Sequence, residues 1–581
     1  MQSTASKNII VNFHGDKHLL IIYLSLVVFA TAVAFFPTLF NGFIEWDDPV
    51  YVTENDAVSN FSAQNIKKAF TCSFGGCYCP LVIMSHAVEY RFFKLDPFIY
   101  HLTNYLLHIS VSLLVFYFIY LLSSNLNMAF ITAVLFGLHP LHVESVAWVS
   151  ERKDLLCALF YMLALTAYLI YLRNKRKRYY FLCFLFTGFS LLSKPMAVTM
   201  PFILVLLDYF LGRKVNKTLI CEKLPIFALV LLFGAVNLHF QVLSGATGVI
   251  ELGAGSKIYF LSKAIPFYLS KVFAPINLSI GYPYHAVVSK HFGEIKYYIA
   301  ILVILAGFAV FSRRYSKKMI FGTLFFLITI APVLKIIPAG DDFAADRYMY
   351  LPSIGVFYAV SVIANGIFTS SIAKARLIRS AMLFLFTMAL IALSVLTWKR
   401  CGLWKDTGTL FFDYLERYPD TPSFYNNLGM YFLKEDRVDK AIKYFEIAVM
   451  LNPEYGTARE NLERVLARQK EIQSGGGGLA VPRAESARDI TREVDLLNVL
   501  GVERGKSGKI DEAVFLFNEA VRLDRDHAES YNNLGYAYYM KGEYERAEEY
   551  FKKTLEIDPN HKKARINLDY IRNVREKAAG G

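Results

Sequence analysis

Long apolar runs separated by short polar loops fill the first 400 residues of the chain. Runs of this length can cross the hydrocarbon core of a bilayer as helices. A further apolar segment at about 257–276 contains Lys263, Lys271 and Pro266, and we predict that it lies at the outer face without crossing. The predicted spans are 19–40, 98–122, 128–140, 154–172, 179–194, 196–211, 224–244, 296–312, 319–338, 349–367 and 380–398.

The pattern changes after residue 400, where small and aromatic residues recur at fixed offsets. The last two glycines of this pattern are 34 residues apart, the period of the helix-turn-helix tetratricopeptide repeat. The recurring positions are Gly429, Ala441, Phe445, Ala448 and Pro453; Gly501, Ala513, Phe517 and Ala520; and Gly535, Ala547, Phe551 and Pro559. The predicted fold is therefore all-α, a polytopic bundle of about 11 membrane helices followed by a tetratricopeptide α-solenoid.

Four segments follow from these patterns. Residues 1–400 form the membrane domain, 401–474 a juxtamembrane segment with the first repeat, 475–492 a glycine-rich flexible linker, and 493–581 two further repeats. The first two repeats are separated by this linker, so the array is predicted to be divided in two.

Composition excludes a soluble globule, since 55% of the 581 residues are hydrophobic. The net charge of +13 does not indicate nucleic-acid binding, because the basic residues concentrate in short loops between predicted spans, such as 173–178 and 313–318. Basic loops of this kind stay in the cytoplasm. With eleven spans, the N-terminus is predicted to be cytoplasmic and the repeats extracytoplasmic.

Three of the seven cysteines, Cys72, Cys77 and Cys79, fall in the first external loop. A disulfide is permissible there, but an odd number leaves one thiol over and the pairing stays open. A metal site would need a fourth ligand, for which His86 is a weak candidate.

An acidic cluster follows the first span directly. Asp47 and Asp48 come after Trp46, a residue type that anchors at membrane interfaces. Carboxylates at a membrane face indicate a site more than a solvated loop, although short acidic loops are also common.

A polar stripe occupies the second predicted span. His101, Asn104 and His108 lie at i, i+3 and i+7, on one face of a helix. Three polar groups on one stripe favour a cavity lining over simple helix–helix hydrogen bonding.

Two further external clusters carry acids and arginines. Residues 138–154 are expected to end a short span at His139-Pro140 and to continue as a helix at the interface, and residues 341–352 emerge on the same side. Together they suit an anionic lipid-linked substrate, because arginine binds phosphate bidentately while a carboxylate acts as base. A surface salt-bridge ladder, a helix cap and a snorkelling lysine are the plainer alternatives. The candidate residues are His139, His142, Glu144, Arg152, Asp154, Lys194, Asp346 and Arg347.

These motifs, in this order and followed by tetratricopeptide repeats, resemble the transmembrane and tetratricopeptide-repeat O-mannosyltransferases of the GT-C glycosyltransferase superfamily. The resemblance covers nearly the whole chain, and the short array favours a bacterial relative, located in the inner membrane. It implies transfer of a sugar, mannose or another hexose, from a polyprenyl-phosphate carrier to a protein hydroxyl at the outer face. Asp47 or Asp48 would be the general base, and Arg347, Arg152 and Lys194 would hold the phosphate.

The resemblance leaves other features open. A divalent cation, Mg²⁺ or Mn²⁺, is needed by some GT-C enzymes and not by others. In the family pattern we associate an arginine with the stretch before Pro80-Leu81, where this chain has Cys79. The difference concerns donor recognition, so the identity of the sugar stays open.

The repeats are expected to bind a protein or peptide acceptor. Asn427 and Asn533, two positions before their repeat glycines, can bond an extended peptide backbone, or can be structural. The rival functions are an oligosaccharide ligase or polymerase that uses a diphosphate-linked glycan, and a non-enzymatic membrane-anchored tetratricopeptide scaffold.

Overall fold

The computed structural model describes residues 17–243, 254–284, 296, 298, 317–334, 342–368, 375–471 and 487–579. The chain divides into two compact units, Met1–Asp406 and Thr407–Gly581. The predicted span 296–312 and the glycine-rich part of the predicted linker lie outside the described residues except at single positions, as does the basic pair Arg313 and Arg314.

The first unit is built from helices joined by short turns. They are α1 (Lys17–Phe35), α2 (Asp56–Ser59), α3 (Ala63–Thr71), α4 (Pro80–Phe93), α5 (Pro97–Ser123), α6 (Leu126–Leu138), α7 (Val143–Ala147), α8 (Arg152–Asn174), α9 (Lys177–Leu191), α10 (Met200–Phe210), α11 (Lys217–Leu243), α12 (Ala254–Phe273), α13 (Lys317–Ile330), α14 (Ser353–Phe368) and α15 (Ala375–Leu403). Single helical turns also occur, at Phe36–Phe40, Pro49–Thr53, Pro140–His142, Val149–Glu151, Pro195–Thr199, Ala331–Val333 and Asp346–Met349.

Within the described residues, five helices are long and apolar enough to cross a membrane. They are Lys17–Phe40, Pro97–Ser123, Val149–Asn174, Lys217–Leu243 and Ile378–Leu403. Only 6% of the apolar window in Ile378–Leu403 is buried, so its side chains face outward as lipid contact requires. The polytopic all-α prediction is therefore confirmed, while the number of eleven spans stays a prediction. The helices at 179–194, 196–211, 319–338 and 349–367 are shorter than a full span.

A bend interrupts the apolar segment that contains α6. Leu126–Leu138 and Pro140–Ala147 meet at an angle of 55°, because Pro140 lacks the N–H that a continuing helix needs. All residues from 131 to 155 are buried. The expectation of one interfacial helix over this segment was wrong. The segment is a series of short helical turns inside the protein, where Arg347 and Lys153 pair with its carboxylates Glu144 and Glu151.

Two short strands meet beside this segment. β1 (Tyr282–Pro283) pairs antiparallel with β2 (Asp342–Ala344). The sheet fixes the start of the turn Asp346–Met349, which carries Arg347.

The second unit is a series of helical hairpins. Its helices are α16 (Thr407–Leu415), α17 (Pro422–Lys434), α18 (Val438–Leu451), α19 (Gly456–Glu471), α20 (Ala487–Lys506), α21 (Ile510–Leu523), α22 (Ala528–Met540), α23 (Tyr544–Ile557) and α24 (Lys562–Ala579). A Cβ on Gly429 would lie 2.6 Å from the Phe445 ring, and the same close approach recurs at Gly501 with Phe517 and at Gly535 with Phe551. The small residues therefore allow the two helices of each repeat to pack, which confirms the solenoid.

Ion pairs join the first repeat to the later repeats. Glu493 on α20 pairs with Lys440 and Lys443 on α18 in a largely buried cluster, and Arg504 pairs with the exposed Asp420. Removing one partner from the Glu493 cluster leaves an unpaired charge. Helices on both sides of the predicted linker thus belong to one folded unit.

Candidate active site

The acidic loop after α1 is fixed by a buried carboxylate. Asp48 is fully buried, and its Oδ2 accepts a hydrogen bond from the Ile44 N–H at 2.7 Å. Its Oδ1 accepts from the Ser150 N–H at 3.0 Å and from the Ser150 hydroxyl. Burial raises the pKa of Asp48 to about 7, although these hydrogen bonds act in the opposite direction. Asp48 therefore joins the loop to the turn before α8.

Asp47 is the more accessible of the two carboxylates. Its side chain is 34% exposed, and its Oδ2 lies 3.7 Å from the Nζ of Lys153. The preceding Trp46 stacks on Trp148, with ring centroids 5.0 Å apart. Asp47 is thus held next to a lysine while part of its surface stays open to a substrate.

Arg347 connects two acidic residues of the bent segment. The Arg347 N–H donates to Glu144 at 2.9 Å, and the guanidinium pairs with the same carboxylate and, at 3.3 Å, with Glu151. The guanidinium also lies 5.8 Å from the centre of the Trp148 ring. Arg347 remains 19% exposed, so its charge is oriented by the two glutamates without being enclosed by them.

Lys194 and Lys153 share the second glutamate. The Nζ of Lys194 lies 3.0 Å from Glu151 and 2.7 Å from Asp154, and that of Lys153 lies 3.3 Å from Glu151. The Ser145 hydroxyl donates to Asp154 at 3.1 Å. Glu151 therefore lies between three cations, and each of the three has a carboxylate that limits its rotamers.

A cavity of about 460 Å³ opens beside this cluster. Its charged lining consists of Lys153, Lys194, Arg347 and Glu151, and apolar and small residues such as Met196 and Gly234 form other walls. Three cations around one carboxylate make the cavity suitable for an anion, because a phosphate can take several charge-assisted hydrogen bonds there.

Lys153 is the residue that sequence reasoning missed. Its Nζ lies 4.4 Å from the centre of the Tyr51 ring, next to both Asp47 and Glu151. Adjacent positions on a helix point about 100° apart, so Arg152 and Lys153 have different surroundings. The sequence contained no signal to choose between them.

Arg152 does not line the cavity. It is fully buried, and its guanidinium donates to Asn104 at 2.8 Å, to the Tyr100 carbonyl at 2.9 Å and to Glu89 at 2.5 Å. The Arg152–Glu89 pair lowers the pKa of Glu89 to about 2, against the effect of burial. These contacts give Arg152 a structural position between α4, α5 and α8.

The polar stripe of α5 contacts protein groups and does not line the cavity. The Asn104 amide donates to the carbonyls of Val146 and Trp148, at 3.3 and 3.2 Å. His101 Nε2 lies 3.3 Å from the Gly42 carbonyl, and His108 Nδ1 lies 2.8 Å from the Tyr350 hydroxyl. The stripe thus binds the acidic loop and the bent segment to α5, which is the helix–helix alternative considered above.

The two histidines of the bent segment are also enclosed. His139 Nε2 lies 2.9 Å from the Val272 carbonyl on α12, and His142 Nε2 lies 3.0 Å from the Ser353 hydroxyl on α14. Asp346 is buried, accepts from the Tyr282 hydroxyl at 2.8 Å and lies 3.9 Å from Arg400. Burial raises the pKa of Asp346 to about 6, while Arg400 acts in the opposite direction. Asp346 therefore holds the turn that positions Arg347.

The repeat asparagines form bonds between helices. The Asn533 amide donates to Asn498 at 3.1 Å, and Asn461 donates to Asn426 in the same way at 2.9 Å. Asn427 is half-buried and accepts from Asn426 at 3.4 Å. Asn533 thus serves packing between repeats, and peptide binding by Asn427 and Asn533 stays a prediction.

Among the described residues, no group of three His, Cys, Asp or Glu side chains could hold a metal ion. All seven cysteines are free thiols.

Comparison with known proteins places the chain in context. Residues 101–239 match the family model described as dolichyl-phosphate-mannose-protein mannosyltransferase, and tetratricopeptide models match 422–455, 506–542 and 528–561. Human Protein O-mannosyl-transferase TMTC3 is 24% identical over 88% of this chain. The chain is similar to the transmembrane and tetratricopeptide-repeat O-mannosyltransferases over most of its length.

This relationship extends over both units but not over the full length of the relatives. The chain spans 61% of human TMTC3 and 49% of human TMTC1, to which it is 22% identical over 66% of its own length. A solved structure of ArnT from Cupriavidus metallidurans bound to undecaprenyl phosphate is 14% identical, covering 70% of this chain and 80% of that one, with a TM-score of 0.34.

Proposed function

We propose that this protein is a membrane glycosyltransferase that moves a sugar, mannose or another hexose, from a polyprenyl-phosphate donor to a protein hydroxyl. The observation that carries the proposal is the cavity lined by Lys153, Lys194 and Arg347 next to the partly exposed Asp47. The mannosyltransferase names of the relatives support the same class of reaction.

The cavity would bind the phosphate of the donor. During transfer the bond between the sugar carbon and the phosphate oxygen breaks, and negative charge grows on the leaving phosphate. The three cations stabilise that charge without having to reorganise, because Glu144, Glu151 and Asp154 already hold them in place. The phosphate then leaves without a strong acid.

Asp47 would take the proton from the acceptor hydroxyl. A general base must come within hydrogen-bond reach of the proton that it removes. Burial raises the pKa of Asp48 to about 7 but leaves this carboxylate no exposed surface, whereas Asp47 is accessible. We therefore assign the proton transfer to Asp47 and the positioning of the loop to Asp48.

The description of the matching family model, dolichyl-phosphate-mannose-protein mannosyltransferase, supports a monophosphate over a diphosphate donor. An oligosaccharide ligase or polymerase that uses a diphosphate-linked glycan is the alternative function.

Transfer assays on the purified full-length protein test the function. Labelled sugar on polyprenyl phosphate should pass to an acceptor protein, and the same sugar on polyprenyl diphosphate should not. Asp47→Asn protein in the same detergent serves as the negative control. Transfer from the diphosphate alone would select the ligase or polymerase, and no transfer from either donor with any hexose would favour the scaffold.

We further propose that the repeats recruit the acceptor protein. A chain ending at Asp406 should keep the first unit folded and should still transfer sugar to a small soluble acceptor, because the candidate residues of the cavity all lie in that unit. Transfer to a protein acceptor should fall by about tenfold or more, since the repeats contribute effective concentration. Equal loss with both acceptors in a chain that remains folded would contradict recruitment.

The proposed orientation places the N-terminus in the cytoplasm and the repeats outside, in a bacterial inner membrane. Single cysteines replacing Lys175, between α8 and α9, and Ser423, in the first repeat, should react with a membrane-impermeant maleimide from opposite sides. Labelling of both from the same side would overturn the orientation and the number of spans together.

A further inference from the structure

A tight hairpin forms one wall of the anion cavity. The N–H groups of Phe74 and Cys77 donate to each other's carbonyls, at 3.0 and 2.9 Å, around Gly75 and Gly76. Both glycines have positive φ, +53° and +73°, which suits residues without a Cβ. The Tyr51 hydroxyl donates to the Phe74 carbonyl at 2.8 Å. This bond fixes the position of the hairpin next to the Tyr51 ring, which Lys153 also contacts.

Two thiols meet where this hairpin ends. Cys77 lines the cavity together with Lys153 and Lys194, and Cys79 is buried behind it. The Cys79 thiol donates to the Cys77 carbonyl at 3.8 Å, so the two residues are in contact where the chain leaves the hairpin. The Cys79 side chain lowers the pKa of Cys77 and the two lysines lower it further, while burial opposes them. Cys77 therefore combines access to the cavity, two lysines in the same lining and a second thiol two positions along the chain.

We propose that Cys77 and Cys79 form a redox-active dithiol site in the wall of the cavity. The co-reactant is a disulfide oxidant of the glutathione or thiol-oxidoreductase class. The Cys77 thiolate attacks one sulfur of the oxidant and releases one thiolate. Cys79, as it loses its proton, then attacks the mixed disulfide at Cys77 and releases the second. Two electrons pass to the oxidant, which becomes two thiols, and one disulfide links Cys77 to Cys79.

The dithiol proposal can be tested independently of the transferase proposal, because alkylation and disulfide formation are measured at the cysteines and need no sugar transfer. Cys72 offers a matched control: it belongs to the same loop and is half-buried like Cys77, but it does not line the cavity. Differences between the two thiols therefore report on the surroundings of Cys77 and not on the loop as a whole.

Alkylation kinetics test the reactivity of Cys77. In the folded full-length protein at pH 7, iodoacetamide should modify Cys77 at least about fivefold faster than Cys72. Peptide mass spectrometry measures the two rates. Lys153→Met should slow modification of Cys77 and leave the rate at Cys72 unchanged, which also shows that the loop remains folded. Equal rates at both cysteines of the unmodified protein would overturn the proposal.

Oxidation tests the pairing. Glutathione disulfide should produce an internal Cys77–Cys79 disulfide in the starting protein and in Cys72→Ser, and Cys79→Ser should instead keep glutathione on Cys77. A disulfide that joins Cys72 to either partner, or stable glutathione adducts on Cys77 while Cys79 stays reduced, would refute the dithiol site.

Discussion

Asp47→Asn should lower the rate of sugar transfer by about 10² or more, because a general base contributes that much and an amide cannot accept the proton. The change is nearly isosteric and affects a residue whose side chain is 34% exposed, so the fold should persist. Turnover with a saturating labelled polyprenyl-phosphate sugar, measured on protein of verified melting temperature, checks this. The loss should appear in kcat, since the donor site retains its three cations.

Asp48→Asn should behave differently. Its oxygens accept from the Ile44 N–H, the Ser150 N–H and the Ser150 hydroxyl, so an amide nitrogen would face at least one backbone donor. Such a buried mismatch costs about 1–3 kcal/mol. We expect a lower melting temperature and a partial loss of turnover through displacement of the loop.

Asp56→Asn makes the same chemical change farther along the loop. The Asp56 side chain is 84% exposed and forms an ion pair with Lys68 at 3.3 Å, so neither stability nor turnover should change measurably. If Asp48→Asn abolishes turnover at full stability while Asp47→Asn transfers sugar normally, the base is Asp48.

The repeats illustrate what the sequence could predict. In each repeat a glycine must lie against a phenylalanine ring of the next helix, so the two residues keep a fixed spacing in the sequence. The contacts are Gly429–Phe445, Gly501–Phe517 and Gly535–Phe551. The acidic loop was similarly recognisable, because carboxylates beside a membrane span are costly unless they are used or paired.

The bent segment illustrates what the sequence could not predict. Hydropathy indicates that a run is apolar, but not whether neighbouring helices cover it. Residues 131–155 are buried entirely, so the pattern that suggested an interfacial helix came from a segment enclosed by protein. Arg152 bonds Glu89 and the Tyr100 carbonyl. Both residues are far from Arg152 in the sequence, and no local pattern connects them to it.

Arg347→Lys should raise the apparent KM for the lipid donor by about tenfold, with a much smaller effect on the KM for acceptor. Lysine keeps the charge but loses the planar group that bonds Glu144 and presents its remaining donors to the cavity. A lost bidentate contact to phosphate costs about 1–3 kcal/mol. Steady-state kinetics with the donor varied at fixed acceptor, and then the reverse, separates the two constants.

Arg152→Lys is the matched control, because both arginines are candidates for holding the phosphate and only Arg347 lines the cavity. Lysine at position 152 cannot keep the bonds to Asn104, Tyr100 and Glu89 together, so the free energy of unfolding should fall by about 1–3 kcal/mol. The donor KM of its folded fraction should remain normal. A raised donor KM in Arg152→Lys with a normal value in Arg347→Lys would transfer the phosphate-binding role to Arg152 and place the donor outside this cavity.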